Sequence, residues 1–295
     1  MTNINSTPLW TAVITPMNED GSVDYSSLEN ILKAQDSAGN GILILGSTGE
    51  ALNIDEEEAR SVLEFTCKFE RKVPLMCGIG GINLRETLKW TDYLNTLEID
   101  CYLVVTPLYA KPGDEGQYQW FKAILDRAQK PCMLYNVPSR TGKDMSFSAV
   151  ERLNSHKNFW AIKEASGSVE RFAEYVKAAG ENPRVYSGDD GMLPDFAKIG
   201  CVGLVSVAAN VWPEQTHKYT QLALTQELKE IDLWVSATNN LFVASNPIPV
   251  KWLMAQAGQI SNGTLRAPLT LDDMCKKDEV LASHNEINNW FKNYK

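Results

Sequence analysis

FWAIKEASGSVERFAEYV, residues 159–176, carries one complete structural unit. A short apolar run ends in Lys163, and Glu-Ala-Ser-Gly follows as a turn. Ser168 is then placed to cap a helix whose apolar positions, Val169, Phe172, Ala173 and Val176, recur at helical spacing. The reading is strand, turn, helix. Taken alone, Lys163 is most simply a charge where a strand meets water. If it faces apolar surroundings instead, desolvation of its charged form lowers its pKa. The neutral amine so produced is a nucleophile able to form a Schiff base with a carbonyl compound.

The same unit recurs on both sides. Upstream, LWTAVITP (9–16), GILILGSTGE (41–50), PLMCGIGG (74–81), CYLVVTPLY (101–109) and PCMLYNVP (131–138) read as strands. Downstream, RVYSGDD (184–190) and CVGLVSVAAN (201–210) make the seventh and eighth. Asp24, Asp55 and Asn83 are placed to cap three of the intervening helices, Gly39 to close one, and Pro213 to open the helix after strand eight. The strands are short, β-branched and apolar on both faces, as parallel strands covered by helices must be. Eight consecutive units predict an α/β chain folded as a (β/α)8 TIM barrel over residues 1–225. The rival is an open doubly wound sheet, marked by a glycine-rich turn after the first strand. The nearest match, Gly78-Ile79-Gly80-Gly81, follows the third strand instead and lacks the third glycine, so it reads as a tight turn. Residues 226–295 leave the rhythm and predict an appended C-terminal helical region, packed on the barrel or on a partner subunit.

Composition narrows the function. The 295 residues are 44% hydrophobic and 22% charged, with a net charge of −9. An acidic chain without a Lys/Arg cluster argues against nucleic acid and anionic membranes. The six scattered cysteines read as reduced core residues, and the three histidines lack ligand spacing, so no metal is expected. The N-terminus has no signal-like segment and no apolar run approaches membrane-spanning length, which predicts a cytoplasmic protein.

In such a barrel the chemistry lies at the C-terminal ends of the strands. The sequence places there Ser47 and Thr48 after strand two, Tyr109 after four, Tyr135 on five and Lys163 on six. Ser187-Gly188-Asp189 follow strand seven, and Val205-Ser206 lie on eight. Hydroxyls, two tyrosines and one lysine at one rim favour the Schiff-base reading of Lys163. Each also has a plainer role: Ser47 and Thr48 as turn formers, Tyr135 as a core aromatic, Tyr109 as a cover for the barrel mouth, Arg140 as a solvated charge. Asp189 and Asp190 read as caps for a helix at 190.

Six motifs, GSTGE (46–50), VTPLY (105–109), YNVPSRTG (135–142), IKEASG (162–167), SGDD (187–190) and NPIPVKW (246–252), resemble in order and spacing those of the dihydrodipicolinate synthase family. That family lies in the pyruvate-dependent class I aldolase superfamily, with N-acetylneuraminate lyase. The resemblance spans nearly the whole chain. It implies a lyase that condenses pyruvate with aspartate-4-semialdehyde through an imine on Lys163, without metal or other cofactor. It also implies proton relay by Tyr135, with Ser47 and Tyr109 completing a hydroxyl chain to solvent. Tyr109 would reach across a dimer interface, in a homodimer or homotetramer. Thr48 would hold the pyruvate carboxylate, Arg140 the carboxylate of the second substrate, and Gly188 and the carbonyl of Val205 would line the pocket. Ser47 stands where these synthases usually have threonine and also resembles the lyases, so a sugar-acid lyase or related 2-oxo-acid aldolase is the second reading. A pyruvate-binding sensor or scaffold is the third. Ile54, Glu57 and Leu108 replace the polar residues that the resemblance associates with feedback by lysine, and Glu86 or Thr87 aligns with the acid there. Weak or absent lysine inhibition is the expectation.

Overall fold

The computed structural model describes residues 3–294. Eight parallel strands close on themselves in sequence order: β1 (Leu9–Ala12), β2 (Gly41–Ile44), β3 (Leu75–Ile79), β4 (Cys101–Val105), β5 (Cys132–Asn136), β6 (Phe159–Glu164), β7 (Arg184–Ser187) and β8 (Leu204–Ser206). Strand β1 pairs with both β2 and β8, so the barrel is complete and the open-sheet alternative is excluded.

The helices between them begin where the sequence provides caps. Asp24 accepts from Ser27 N ahead of α1 (Tyr25–Ala38), which Gly39 ends at φ 76°. Asp55 accepts from Glu58 N ahead of α2 (Glu56–Lys68), and three glutamates occupy that first turn, where the helix dipole favours them. Asn83 caps α3 (Leu84–Leu94), and α4 (Asp114–Arg127) follows β4. The stretch after β5 is not an irregular loop: Pro138–Thr141 form one helical turn, α5, opened by the proline. Ser146 caps α6 (Phe147–Leu153), and Ser168 caps α7 (Val169–Ala179). Then come α8 (Leu193–Ala197) and α9 (Pro213–Leu224), with Pro213 at its start.

Three further helices, α10 (Ile231–Asn240), α11 (Ile248–Gln256) and α12 (Lys277–Phe291), form the C-terminal region. They pack back on the barrel through aromatic rings. Trp234 of α10 stacks on Tyr219 of α9, with centroids 4.2 Å apart, and meets Trp290 of α12 edge-on at 5.0 Å. The core between strands and helices continues into these helices without a break.

One irregularity positions the site. Along β5, Cys132 and Leu134 face the helices, while Met133 and Tyr135 face the barrel interior. On β6, Phe159 pairs with Cys132 and faces outward, yet the next pairing is Ala161 with Met133. Trp160 is therefore the extra residue of a bulge, and it packs inward on Trp10 and Tyr186. Strict alternation from Phe159 would turn residues 161 and 163 to the outside. The bulge shifts the parity by one and turns Ala161 and Lys163 inward.

Candidate active site

Lys163, the last but one residue of β6, stands opposite Tyr135, in a register that also aligns Val105. It is only 6% exposed, and its Nζ lies 4.3 Å from the centre of the Tyr135 ring. Gly188 closes in from β7. A Cβ at 188 would come within 2.9 Å of Lys163 Cε and 2.7 Å of Ala165 Cβ, so the position admits only glycine without displacing the lysine. Burial pulls the Lys163 amine down to about 8, against the opposing pull of Asp189 and Asp190, while Arg140 lowers it further. A neutral amine is thus within reach near physiological pH. Burial also raises the Tyr135 phenol, and Arg140 works in the other direction.

The two aspartates do not cap the helical turn at 190, contrary to expectation. Asp190 turns under the barrel rim instead. Its Oδ1 accepts from Ser206 Oγ, and its Oδ2 accepts from Val207 N at 3.0 Å. It ties the end of β7 to the end of β8, because the backbone donors freed after β8 need a buried acceptor. Asp189 accepts from Gly167 N at 3.0 Å. Its carboxyl is raised to about 6 by burial, with Lys163 lowering it and Asp190 raising it. Glu164, the outward neighbour of Lys163, is fully buried and accepts from Asn136 Nδ2 at 2.9 Å and from Ser166 N.

The GSTGE segment forms a tight loop above β2. Leu45 and Glu50 bracket it at φ 53° and 55°, and Gly49 O accepts from Thr15 Oγ1 at 2.7 Å. Gly78 permits this path: a Cβ there would lie 2.1 Å from Leu45 O. The tight-turn reading of Gly78–Gly81 holds only for its second half: Gly78 and Ile79 still pair with β4 as the end of β3, and Gly78 serves close backbone approach. Ser47 is exposed on the rim, whereas Thr48 is buried and its Oγ1 accepts from Asn246 Nδ2 at 2.9 Å.

A cleft of about 920 Å³ opens at this end of the barrel. Ser47, Tyr135, Arg140 and Asn246 are in its wall. Arg140, on α5, donates from Nη2 to Asn246 O at 3.0 Å, which aims an otherwise exposed guanidinium at the cleft. Lys163 and Thr48 stand behind this wall, against Tyr135 and Asn246 respectively; Gly188 lies against Lys163, outside the wall, and Val205 is buried in the barrel interior on β8. Tyr109 is not brought to Lys163 within the chain. It is 88% exposed, at φ 61°. The cleft extends past Ile54, Glu86, Thr87 and Leu108, whereas Glu57 is not part of its wall.

Sequence reasoning missed the contribution of the C-terminal region. NPIPVKW was visible as a motif, but nothing in it assigned roles to Asn246 or Lys251. Lys251, on α11, forms a fully buried ion pair with Glu50 at 2.5 Å and also donates to Thr264 O. Arg266 N donates to the other oxygen of Glu50, and its guanidinium pairs with Glu58. The loop that carries Ser47 and Thr48 is therefore anchored from the far end of the sequence.

A closed parallel barrel with one buried, weakly basic lysine beside a tyrosine at its catalytic rim defines an imine-forming, aldolase-type lyase. Comparison with known proteins narrows the class. The chain belongs to the dihydrodipicolinate synthetase family, whose model matches residues 5–286. It is 47% identical over 285 residues to a 4-hydroxy-tetrahydrodipicolinate synthase of Francisella philomiragia, covering 96% of both chains. It is 44% identical to that of Wolbachia pipientis wMel, covering 97% and 98%. Among solved structures, a chloride-inhibited dihydrodipicolinate synthase of Acinetobacter baumannii complexed with pyruvate superposes with a TM-score of 0.89 at 33% identity. That match covers 96% of this chain and 99% of the other.

Proposed function

We propose that the protein condenses pyruvate with aspartate-4-semialdehyde to give 4-hydroxy-tetrahydrodipicolinate, a step of lysine and diaminopimelate biosynthesis in the cytoplasm. The observation that carries this reading is the buried Lys163 amine, held near pH 8 against Tyr135, with the Arg140 guanidinium on the same cleft.

The neutral Lys163 amine attacks the pyruvate ketone, and loss of water gives the imine. The cationic imine withdraws electrons, so a methyl proton leaves and an enamine forms. The enamine carbon attacks the aldehyde and the new C–C bond is made. The amine of the second substrate then displaces Lys163 and closes the ring. The imine is the electron sink, so the scheme calls on no metal or separate cofactor. Tyr135 shuttles the protons. A phenol raised by burial keeps its proton near pH 7 and releases it less readily than a free one, so it needs hydroxyl partners, the role given to Ser47 and to Tyr109 of a neighbouring subunit. Thr48 holds the pyruvate carboxylate and Arg140 that of the semialdehyde, with Gly188 and the Val205 carbonyl shaping the pocket. The assembly is at least a homodimer, and a tetramer is the expectation.

Borohydride with pyruvate tests the chemistry: a reduced pyruvyl adduct is expected on Lys163 and none in Lys163→Ala. Turnover with aspartate-4-semialdehyde, set against N-acetylmannosamine, tests the second substrate. Arg140→Ala should impair use of the semialdehyde far more than adduct formation, and equal small effects on both would overturn the assignment. Lysine should inhibit weakly or not at all, because Ile54 and Leu108 offer its ammonium and carboxylate nothing polar. Strong inhibition at low lysine concentration would contradict this.

A further inference from the structure

Asn246 precedes α11 and touches two groups of the site at once. Its side-chain Nδ2 donates to Thr48 Oγ1 at 2.9 Å, and its main-chain carbonyl accepts from Arg140 Nη2 at 3.0 Å. Its own Oδ1 is buried, sealed from solvent and without a hydrogen-bond partner. A buried carbonyl oxygen without a partner is unfavourable, and a smaller apolar side chain would remove that burden. The retained value of the amide therefore lies at its other end, in the N–H aimed at Thr48.

A threonine hydroxyl has one proton to give. Because Oγ1 already accepts from Asn246, that proton is free for an acceptor on the cleft side. Without the amide, the hydroxyl can rotate and spend its proton on a nearby backbone carbonyl. The segment behind Asn246 is rigidly held, since Lys251, five residues on, is locked in the buried pair with Glu50 of the same loop.

We propose that Asn246 is a positioning residue joining the two carboxylate subsites: its side chain orients the Thr48 hydroxyl toward pyruvate, and its main-chain carbonyl holds the Arg140 guanidinium for the second substrate. The inference rests on the assignment of Thr48 and Arg140 given above. Asn246 acts through these groups, because its own Oδ1 has no surface to offer a ligand.

The test is a double-mutant cycle in the full-length protein. Asn246→Ala raises the KM for pyruvate about tenfold and slows borohydride capture at low pyruvate in proportion, the worth of one oriented hydrogen bond to a charged group. The KM for aspartate-4-semialdehyde stays within about twofold, since the main-chain carbonyl survives the substitution. Thr48→Val gives a rise similar to that of Asn246→Ala, and the double variant is no worse than the poorer single one. Asn246→Asp, nearly the same shape, is worse than alanine, because a carboxylate takes the Thr48 proton and repels the pyruvate carboxylate. A purely structural role predicts the reverse order. Should the alanine variant fail to fold, Asn246→Ser, too short to reach Thr48, takes its place in the cycle. Single effects that multiply in the double variant, an unchanged pyruvate KM, or an aspartate variant better than alanine would each overturn the proposal. If the unmodified protein captures no pyruvate, the functional reading itself fails; if it captures pyruvate normally and Asn246→Ala does too, only the role of Asn246 fails.

Discussion

Lys163 is enclosed by Tyr135 and by the bare backbone of Gly188, and this enclosure sets both its reactivity and its cost. Its pKa falls from 10.5 to about 8, so the folded protein binds fewer protons than the unfolded chain between those values. Stability therefore rises with pH across that window, and below about pH 8 the buried ammonium costs on the order of 3 kcal/mol. Lys163→Met should abolish the pyruvyl adduct yet raise the melting temperature at pH 7. The gain should vanish as pH climbs from 8 to 10.5, and a gain that persists to pH 10.5 would point to another cause. Asp189 opposes the effect of burial. Asp189→Asn should accordingly move the rising limb of the rate of imine formation to lower pH, by up to about one unit. An unmoved limb, measured by borohydride capture against pH, would separate Asp189 from Lys163.

Among the elements, the GSTGE loop and α11 behave as one part. Glu50 and Lys251 are both fully buried, and burial lowers the Lys251 amine in spite of its partner. Removing one member of such a pair strands the other in the interior, at about 3–5 kcal/mol, whereas replacing both with uncharged residues of similar volume is often tolerated. Lys251→Met should lower the melting temperature by on the order of 10 °C and weaken pyruvate binding, since the loop loses its anchor. Adding Glu50→Gln should restore most of the stability. If the double variant melts no higher than the single one, the stranded carboxylate is not the cause. The bulge at Trp160 is the other decisive element feature, because it alone reverses the facing of the last residues of β6.

For the whole molecule, Tyr109 raises the question of assembly. It is held at a positive φ and is almost fully exposed, while Leu52 and Ile82 are exposed in the cleft wall. Large apolar side chains left bare beside a site suit coverage by a second copy. If Tyr109 completes a neighbour's hydroxyl chain, subunits carrying Tyr109→Ala and subunits carrying Lys163→Ala should each be nearly inactive alone. After subunit exchange, mixed dimers should regain part of the activity, because one of the two sites then has both groups. Exchange confirmed by mass, without recovery of turnover, would place Tyr109 outside the reaction.

Much of this protein was legible in its sequence because the relevant forces are local. The apolar strands, the caps at Asp24, Asp55, Asn83 and Ser168, and Pro213 at a helix start all act within a few residues, and each stands where the sequence places it. The order of eight such units sufficed to predict the closed barrel. The aspartates after β7 were misread because their carboxylates serve donors distant in the chain and not their own helical turn: Asp189 reaches back to Gly167 N, and Asp190 forward to the backbone after β8. Asn246 and Lys251 went unassigned for the same reason, since their partners Thr48 and Glu50 lie about two hundred residues away in sequence. Sequence by itself determined the repeating unit, the barrel and the lysine at the end of the sixth strand. Only the tertiary structure decided that this lysine faces the interior, because a two-residue period fixes which side chains alternate but not where a bulge resets the count.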